Sequence, residues 1–554
     1  MNTSSRPGIE PDTEPPGEIA DPWAASWITS SSVGSPATPA VRTEQVAVEQ
    51  HGTAGAGPER AEAERSGRGG TWGAVLVAVL VALGFGGFDL SNRQIWQDET
   101  ATWWAATLSW SDFVRLMQHI DIVLAPFYVL MHFWADLFGT SAAALRMPSV
   151  IATAATAGLL VLLGRRLFGT PQGLVAAIIY AAIPATTRYA QEARPYALAV
   201  LTAVAATLLL LRALERPSGP RWIAYGAMIP LMGMAHLVTL TVLGAHAAMV
   251  IGHGRRERRS TAQWWLGVFY GLLLVGPIIA MGHSQSAQVS WITTSWSALP
   301  DFPDQLFLSH TAALAVVAAA VLGLLLQRKW KGALLTWALL PPVVLFATRN
   351  SLDLFLPRYM LFTLPAWALL ASAGLCSLVG LVVRRRATAR AVGQILLGVG
   401  AATALVLTTL PAFAAVHASP QAGQPDFQSA AQFLQSNEKP GDGIAFGGYN
   451  SQPQRLTAYF LRNGLVPRAV FQSQTPQQVG AYAGTPCADP AACAQSVDRI
   501  WLVTTTPTDS FYEQLPQLQA QLLKTAFTVS TKGHFAGSLR VYLFVRNGSA
   551  AAKG

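Results

Sequence analysis

The sequence predicts a polytopic α-helical membrane protein with interfacial helices in its first outer loop and an extracytoplasmic α/β domain at its carboxyl end. Of the 554 residues, 51% are hydrophobic and only 12% are charged, whereas soluble domains carry roughly 25% charged residues. From Thr71 onward, apolar runs recur with the roughly 17 to 25 residues that a helix needs to cross a bilayer. Beyond residue 416 the composition becomes that of a soluble domain, in which helical patterns alternate with strand-like ones such as Arg499–Thr505.

The first 70 residues do not share the membrane pattern. They are rich in Pro, Gly, Ser, Ala, Glu and Thr, and such a segment buries too little apolar surface to offset the entropy lost on ordering. No apolar core follows the initiator Met at the distance typical of a signal peptide. We therefore expect a disordered cytoplasmic tail at 1–70, a transmembrane domain at 71–415 with its first outer loop at 91–142, and the α/β domain at 416–554.

The apolar runs predict eleven spans. Their approximate bounds are 72–90, 143–164, 171–187, 195–214, 220–235, 237–252, 263–281, 309–327, 332–348, 359–383 and 391–414. Ile122–Phe138 is also apolar, but it contains Pro126, His132 and Asp136. If this segment lies in the membrane interface, the basic clusters between later spans all fall inside, as the positive-inside rule requires.

The same topology gathers the unusual polar residues on the outer face. Asp98-Glu99, His119–Asp121, Arg188–Arg194 and Arg349–Arg358 all fall there with the carboxyl domain, whereas the amino terminus is cytoplasmic. The Trp-rich stretch Thr100–Met117 predicts a helix at headgroup level. We therefore expect a plasma-membrane protein whose site faces the extracytoplasmic side.

Several motifs in this order resemble a known class. They are Asp98-Glu99 after the first span, His119-Ile120-Asp121 leading to Pro126-Phe127-Tyr128, Leu145-Arg146-Met147-Pro148-Ser149, Tyr189–Tyr196, and Pro357-Arg358-Tyr359. Together, over about residues 70 to 415, they resemble the GT-C glycosyltransferases, in particular the family 39 branch of protein O-mannosyltransferases and aminoarabinose transferases. The resemblance implies a GT-C fold, a cavity at the outer leaflet, a sugar donor on a polyprenyl phosphate, and transfer with inversion.

The acidic pair is the predicted catalytic centre. Sugar transfer to a hydroxyl needs a base, and we assign that role to Asp98. The alternative is that Asp98 caps the helix that follows it. Glu99 could orient the acceptor, bind a divalent cation, or raise the pKa of Asp98 through like charge.

The other candidates divide by the chemistry they offer. His119, Asp121, Glu192 and Tyr196 are candidates for acceptor binding, and Arg194, Arg358 and Tyr359 for binding the donor phosphate. Guanidinium groups bind phosphate bidentately, and an outer arginine runs against the positive-inside bias. Arg194 could instead pair structurally with Glu192. Arg146 could pair with an acid of the interfacial loop.

Metal dependence stays open at this point. Asp98, Glu99, Asp121 and Glu192 offer hard oxygen ligands for a divalent cation, but no contiguous ligand motif exists. Cys487 and Cys493 could form a short-loop disulfide in an oxidising compartment. Cys376 lies within a predicted span.

The predicted partners are a polyprenyl-phosphate sugar, a cell-envelope glycan, glycolipid or protein acceptor, and the bilayer. Mannose is the first expectation for the sugar and arabinose the second. The net charge of +9 does not indicate nucleic acid, because the basic residues form short clusters between apolar runs. A transporter or lipid flippase is the main alternative, but the spans are nearly free of central charges. The Ala- and Arg-rich composition suggests a bacterial source.

Overall fold

Long apolar helices form the larger part of the molecule. The computed structural model describes residues 58–254, 258–383, 386–448, 452–506 and 510–549. The helices up to residue 417 are α1 Pro58–Gly87, α2 Gln97–Thr107, α3 Trp110–His119, α4 Ala125–Phe138, α5 Ala142–Leu167, α6 Thr170–Ala182, α7 Pro184–Ala190, α8 Tyr196–Glu215, α9 Gly219–Ala235, α10 Leu243–Gly254, α11 Arg258–Ser284, α12 Ala298–Phe307, α13 His310–Leu326, α14 Lys331–Ala347, α15 Leu364–Val382, α16 Ala387–Thr408 and α17 Leu410–His417.

By length and composition, fewer of the described helices qualify as full membrane spans than the eleven that the sequence predicted. Among the described residues, 6 helices are long and apolar enough to cross a bilayer, and up to 8 cross if each of two bent pairs, α6 with α7 and α12 with α13, is one span. Three predicted spans coincide with the shorter helices α9, α10 and α14. The apolar helices make the chain a multi-pass membrane protein, and the exact count of eleven is not established.

The helix of the first predicted span begins earlier than expected, and the apolar segment Ile122–Phe138 forms a short helix. Helix α1 begins at Pro58, inside the segment predicted to be a disordered tail, and residues 1–57 lie outside the described part of the chain. The segment that was expected to lie in the membrane interface forms a 3₁₀ turn, Ile122–Leu124, followed by the 14-residue helix α4. At 1.5 Å per residue that helix is about 21 Å long, shorter than a hydrocarbon core of roughly 30 Å.

Small residues bring the transmembrane helices together. Gly164 of α5 and Gly173 of α6 lie so close that a Cβ on either would meet backbone atoms of the other helix. Gly323 of α13 and Gly374 of α15 make an equivalent contact. Such approaches are typical of membrane helices, since lipid provides no hydrophobic force between them.

The carboxyl region forms the α/β domain that the alternating pattern predicts. Its elements are α18 Phe427–Asn437, β1 Gly443–Phe446, α19 Gln452–Leu461, β2 Arg468–Ala469, β3 Gln472–Gln474, α20 Pro476–Val479, β4 Thr485–Pro486, α21 Pro490–Cys493, β5 Arg499–Thr505, α22 Gln517–Ala526, β6 Phe527–Phe535 and β7 Leu539–Arg546. Five strands form a sheet of order β2-β1-β5-β7-β6, with β1 parallel to both neighbours and β7 antiparallel to β5 and β6. Cys487 and Cys493 form a disulfide in this domain, and Cys376 is a buried free thiol in α15.

The domain packs on helices α2 to α4. Tyr459 of α19 meets the ring of Trp103 edge-on at 5.3 Å and donates a hydrogen bond to the carbonyl of Thr140 at 3.2 Å. Arg115 of α3 donates to the carbonyl of Gln477 at 2.9 Å. The end of the helix bundle that carries this domain is called the domain end below.

Candidate active site

The connection between α1 and α2 brings the acidic pair to the domain end. Trp96 is the N-cap residue of α2, with an extended backbone, and its N–H donates to Glu99 Oε2 at 3.3 Å. Asp98 therefore lies in the first helical turn, where the helix dipole favours a carboxylate. The alternative that Asp98 is the N-cap is wrong, because Trp96 occupies that position and Glu99 accepts the capping hydrogen bond.

Glu99 is fully buried and bound on all sides. Arg146 donates from Nε to Oε1 and from Nη2 to Oε2, both at 2.8 Å, and the N–H of Ala193 donates to Oε1 at 3.0 Å. Burial alone would raise the pKa of this carboxyl, but the charge and hydrogen bonds of Arg146 outweigh burial and lower the pKa to about 2. The suggested pairing of Arg146 with an acid of the interfacial loop is confirmed.

Asp98 lies beside Arg358, which belongs to the 3₁₀ turn Pro357–Thr363 that precedes α15. Arg358 Nη2 is 3.7 Å from Asp98 Oδ2, and each side chain is 22% exposed. At that separation the two charges attract without a hydrogen bond. Arg358 Nε has no hydrogen-bond partner among the described residues. A carboxylate and a guanidinium therefore meet at a partly exposed position.

Arg194 approaches Asp98 from the loop between α7 and α8. Its Nη1 donates to the hydroxyl of Tyr128 at 3.2 Å, and its Nε has no partner within the described ranges. The negative charges of Asp98 and Asp121 both act on it. The alternative pairing of Arg194 with the Glu192 carboxylate is wrong, since that carboxylate binds Arg188.

Asp121 is held by two tyrosines from different parts of the chain. Tyr128 donates to Asp121 Oδ2 at 2.9 Å and Tyr482 donates to the same oxygen at 2.7 Å. Tyr482 belongs to the carboxyl domain, and Arg455 of α19 lies over its ring at 4.1 Å. Burial raises the pKa of both tyrosines well above the usual range, and the Asp121 charge adds to this effect. The domain therefore completes the polar cluster that leads to Arg194.

Glu192 is fully buried next to the acidic pair. Arg188 donates from Nη1 to Oε2 of Glu192, whereas Oε1 has no partner among the described residues. Burial raises the pKa of Glu192, and the neighbouring Glu99 charge adds to that effect against the opposing Arg188. Arg188 also lies over the ring of Trp96 at 5.4 Å.

Aromatic rings form one wall of the site. Tyr196 lies 6.2 Å from Tyr359, and His236 lies 4.7 Å from Tyr359, between ring centroids. Arg358 is 5.8 Å from the Tyr359 ring. Burial lowers the pKa of His236 to about 3, and the charges of Arg194 and Arg358 contribute, so this imidazole is neutral. The structure thus brings Asp98, Asp121, Glu192, Arg194, Tyr196, Arg358 and Tyr359 into one region.

His119 lies at the edge of this region. It ends α3, is exposed, and its Nδ1 bonds the carbonyl of Arg115 at 2.8 Å. Tyr482, Arg455 and Arg93 were not among the predicted residues. Arg93 could have been found by the reasoning applied to Arg194, since both are arginines on the outer side of the predicted topology. No local signal could connect Tyr482 with Asp121, which is 361 residues away.

The four carboxylates suggested for a metal do not assemble into a cation site. Arg146 occupies both oxygens of Glu99, Arg188 binds Glu192, and two hydroxyls bind one oxygen of Asp121. In the described part of the chain, no three His, Cys, Asp or Glu side chains come together as ligands. The residues present do not fit a divalent cation, and no step below uses one.

Comparison with known proteins gives a family match over part of the chain and a match in fold over most of it. Residues 125–280 match the family model of dolichyl-phosphate-mannose-protein mannosyltransferases. ArnT from Cupriavidus metallidurans in the apo state has a TM-score of 0.54 and 12% identity, over 85% of this chain and 97% of that one. This chain has the GT-C fold. No curated protein matches significantly in sequence.

The GT-C resemblance is therefore confirmed at the level of the fold. ArnT bound to undecaprenyl phosphate gives a TM-score of 0.53 and 13% identity, over 86% of this chain and 98% of that one. At this identity the likeness concerns the GT-C fold, and residue roles must be argued from this chain's own geometry.

Proposed function

We propose that this protein transfers a sugar, mannose in the first instance, from a polyprenyl phosphate to a hydroxyl of a cell-envelope glycan, glycolipid or protein. The observation that carries the proposal is the ion pair of the partly exposed Asp98 with Arg358, together with Arg194, whose charge interacts with that of Asp98. The Nε groups of both arginines lack partners among the described residues. Such a site offers a base and a phosphate-binding pair. The relative crystallised with undecaprenyl phosphate supports this class of donor.

The proposed reaction is a single displacement. The acceptor oxygen forms a bond to the anomeric carbon while the bond from that carbon to the phosphate oxygen breaks. The acceptor proton goes to Asp98, and the electron pair of the broken bond stays on the phosphate, where Arg194 and Arg358 stabilise the charge. Attack opposite the leaving group inverts the anomeric configuration. A positioned base contributes about 10² to 10⁴ in rate.

Glu99 has a positioning role in this proposal. Both its oxygens are used by Arg146, so it offers no open ligand position to an acceptor. It fixes the first turn of α2 against α5 and the Ala193 loop, and thereby fixes Asp98 one residue earlier. Asp121 likewise positions Arg194 through the hydroxyl of Tyr128.

Other residues are proposed to contact the substrates. Tyr196 and Tyr359 offer aromatic faces to the sugar beside the phosphate. Glu192 has one free oxygen for a substrate hydroxyl within the described ranges. His119 is proposed to meet the acceptor at the rim, where its Nε2 is the nitrogen left for a ligand.

A cavity beside Arg358 suits the carrier lipid. It has a volume of about 250 Å³ and is lined mostly by apolar residues, among them Ile292, Phe302, Phe355 and Pro357. Trp291 lies on this cavity and 5.8 Å from Arg358. We place the first prenyl units there, with the domain end at the extracytoplasmic face of the plasma membrane.

The test is transfer by purified, reconstituted protein. Radiolabelled polyprenyl-phosphate mannose and arabinose are supplied with envelope extracts to wild type, Asp98→Asn and the control Asp136→Asn, since Asp136 is exposed on α4. We expect transfer by wild type and control and a loss of at least about 10²-fold in Asp98→Asn. Equal transfer by all three proteins contradicts the base, and absence of transfer from every donor contradicts the function.

A further inference from the structure

A buried arginine lines a cavity that the proposed mechanism does not use. Arg93 lies in the connection between α1 and α2 and is 2% exposed. Its Nη2 donates to the carbonyl of Gln191, whereas Nε and Nη1 have no hydrogen-bond partner among the described residues. Leaving charged hydrogen-bond donors unmatched in a buried position is costly. Both N–H groups are themselves buried, so an anion in the adjoining cavity balances the Arg93 charge across the cavity wall.

The charges around Arg93 leave it without a carboxylate of its own. Glu99 is engaged bidentately by Arg146 at 2.8 Å, and its distance to Arg93 Nη2 is 3.9 Å. Glu192 is bound by Arg188. Three guanidinium groups thus share two carboxylates, which leaves one positive charge unbalanced. Burial, followed by the repulsion of Arg188, lowers the pKa of Arg93 to about 9, as expected for an uncompensated cation.

The cavity next to Arg93 is built from two parts of the chain. Its volume is about 100 Å³, several times the roughly 10–15 Å³ that one water requires. Its wall combines the α1–α2 connection with the carboxyl domain, and its residues include Arg93, Trp96, Gln97, Gln421, Gln424, Gln452 and Thr505. Gln94 fixes this junction by donating to the carbonyl of Pro425 at 2.7 Å.

The composition of the wall indicates what accompanies the anion. Carboxamides both donate and accept hydrogen bonds, as the hydroxyl groups of a sugar require, and Trp96 adds an aromatic face. Arg358 lies over the same Trp96 ring, with its guanidinium carbon 5.9 Å from the ring centroid. The two anion positions are thus neighbours on one tryptophan but are formed by different arginines.

We propose that Arg93 and this amide-lined cavity bind a phosphate or carboxylate group of the acceptor, so that the acceptor is an acidic glycan or glycolipid. The inference rests on the proposed transfer reaction for the word acceptor, but the anion site itself does not. A cavity of this size admits the charged group with part of one sugar. The acceptor hydroxyl then extends past Trp96 toward Asp98.

The test measures binding to full-length purified protein by calorimetry. The probes are inorganic phosphate, glucuronate and neutral glucose. They are measured in an Arg194→Gln, Arg358→Gln background, so that the proposed donor site does not contribute. In this background Arg93→Gln is compared with Arg462→Gln, a control arginine of the carboxyl domain. Gln424→Trp fills the cavity from an exposed position and keeps the hydrogen bond between Arg93 and Gln191.

We expect phosphate or glucuronate to bind more tightly than glucose, and Arg93→Gln to weaken the anion about 10- to 100-fold. Gln424→Trp should do the same, whereas Arg462→Gln should not. The tighter of the two anions identifies a phosphorylated or a carboxylated acceptor. Anion affinity unchanged in both Arg93→Gln and Gln424→Trp overturns the site. Failure of sugar transfer in wild type would leave these affinities intact and would contradict only the acceptor assignment.

Discussion

Arg146 holds both carboxylate oxygens of Glu99 with hydrogen bonds of 2.8 Å, and neither side chain is exposed. The same guanidinium donates to the carbonyls of Leu90 and Arg93, both at 2.9 Å. One buried pair therefore connects the end of α1, the first turn of α2 and helix α5. The candidate base Asp98 is adjacent to this connection, so its position depends on an ion pair rather than on its own contacts.

Breaking this pair should cost stability. Glu99→Gln leaves the Arg146 charge buried and uncompensated, and we expect a loss of about 3–5 kcal/mol in the free energy of unfolding. The control is Glu215→Gln, which removes a partner of the largely exposed Arg166 and should cost less than about 1 kcal/mol. Thermal unfolding in detergent measures both. A similar midpoint for the two variants would refute the supporting role of Glu99.

The pair also predicts acid sensitivity. The pKa of Glu99 falls from 4.5 to about 2 on folding. A lowered native pKa adds stability that is fully present above pH 4.5 and is lost as pH falls toward 2. The shift corresponds to about 3 kcal/mol. Unfolding measured from pH 6 to pH 2 should therefore show a steeper loss in wild type than in Glu99→Gln, and parallel curves would contradict the assignment.

The sequence predicted local elements better than long-range partners. Strand β5 was predicted at Arg499–Thr505 and lies there, because its apolar run is a local signal. The partner of Glu99 is 47 residues away and that of Asp121 is 361 residues away, so neither pairing could be fixed from a local pattern. The N-cap alternative for Asp98 was wrong because Glu99, three residues after Trp96, accepts the capping bond.

The carboxyl domain should affect catalysis through Tyr482. Tyr482→Phe removes one of the two hydroxyls that hold Asp121, and Tyr128→Phe removes the other and also the contact with Arg194. We expect kcat/KM for the donor to fall about 10-fold in each, equivalent to about 1.4 kcal/mol. Because both tyrosines share one oxygen, the double variant should be non-additive by about 0.5–3 kcal/mol. Additive effects would mean that the two hydroxyls act independently.

The disulfide provides a test of orientation. Cys487 and Cys493 are paired, and disulfides form and persist mainly in oxidising compartments. Maleimide should label one thiol per chain, that of Cys376, after denaturation without reductant, and three after reduction. Three labelled thiols without reductant, in protein isolated with its native thiols protected, would place the domain on the reducing side. Cys376→Ser is the control that removes the single expected signal.

We expect Arg194 and Arg358 to bind the donor phosphate through the planar shape of the guanidinium as well as through its charge. Arg194 and Arg358 each have an Nε–H without a partner among the described residues, so a phosphate can use both the charge and the planar fork of each guanidinium. Arg194→Lys and Arg358→Lys keep the charge but lose the fork, whereas the Gln variants lose both. We expect the affinity for polyprenyl phosphate to fall about 10-fold for Lys and about 100-fold for Gln, given about 1.5–3 kcal/mol for hydrogen bonds of charged groups.

The measurement is lipid-phosphate binding to purified protein. The control is Arg349→Gln, because Arg349 lies over Phe346 at 4.0 Å and is outside the Asp98 cluster. Full recovery of affinity by Lys would show that charge alone suffices. Unchanged affinity in the Gln variants would move the donor phosphate away from these arginines.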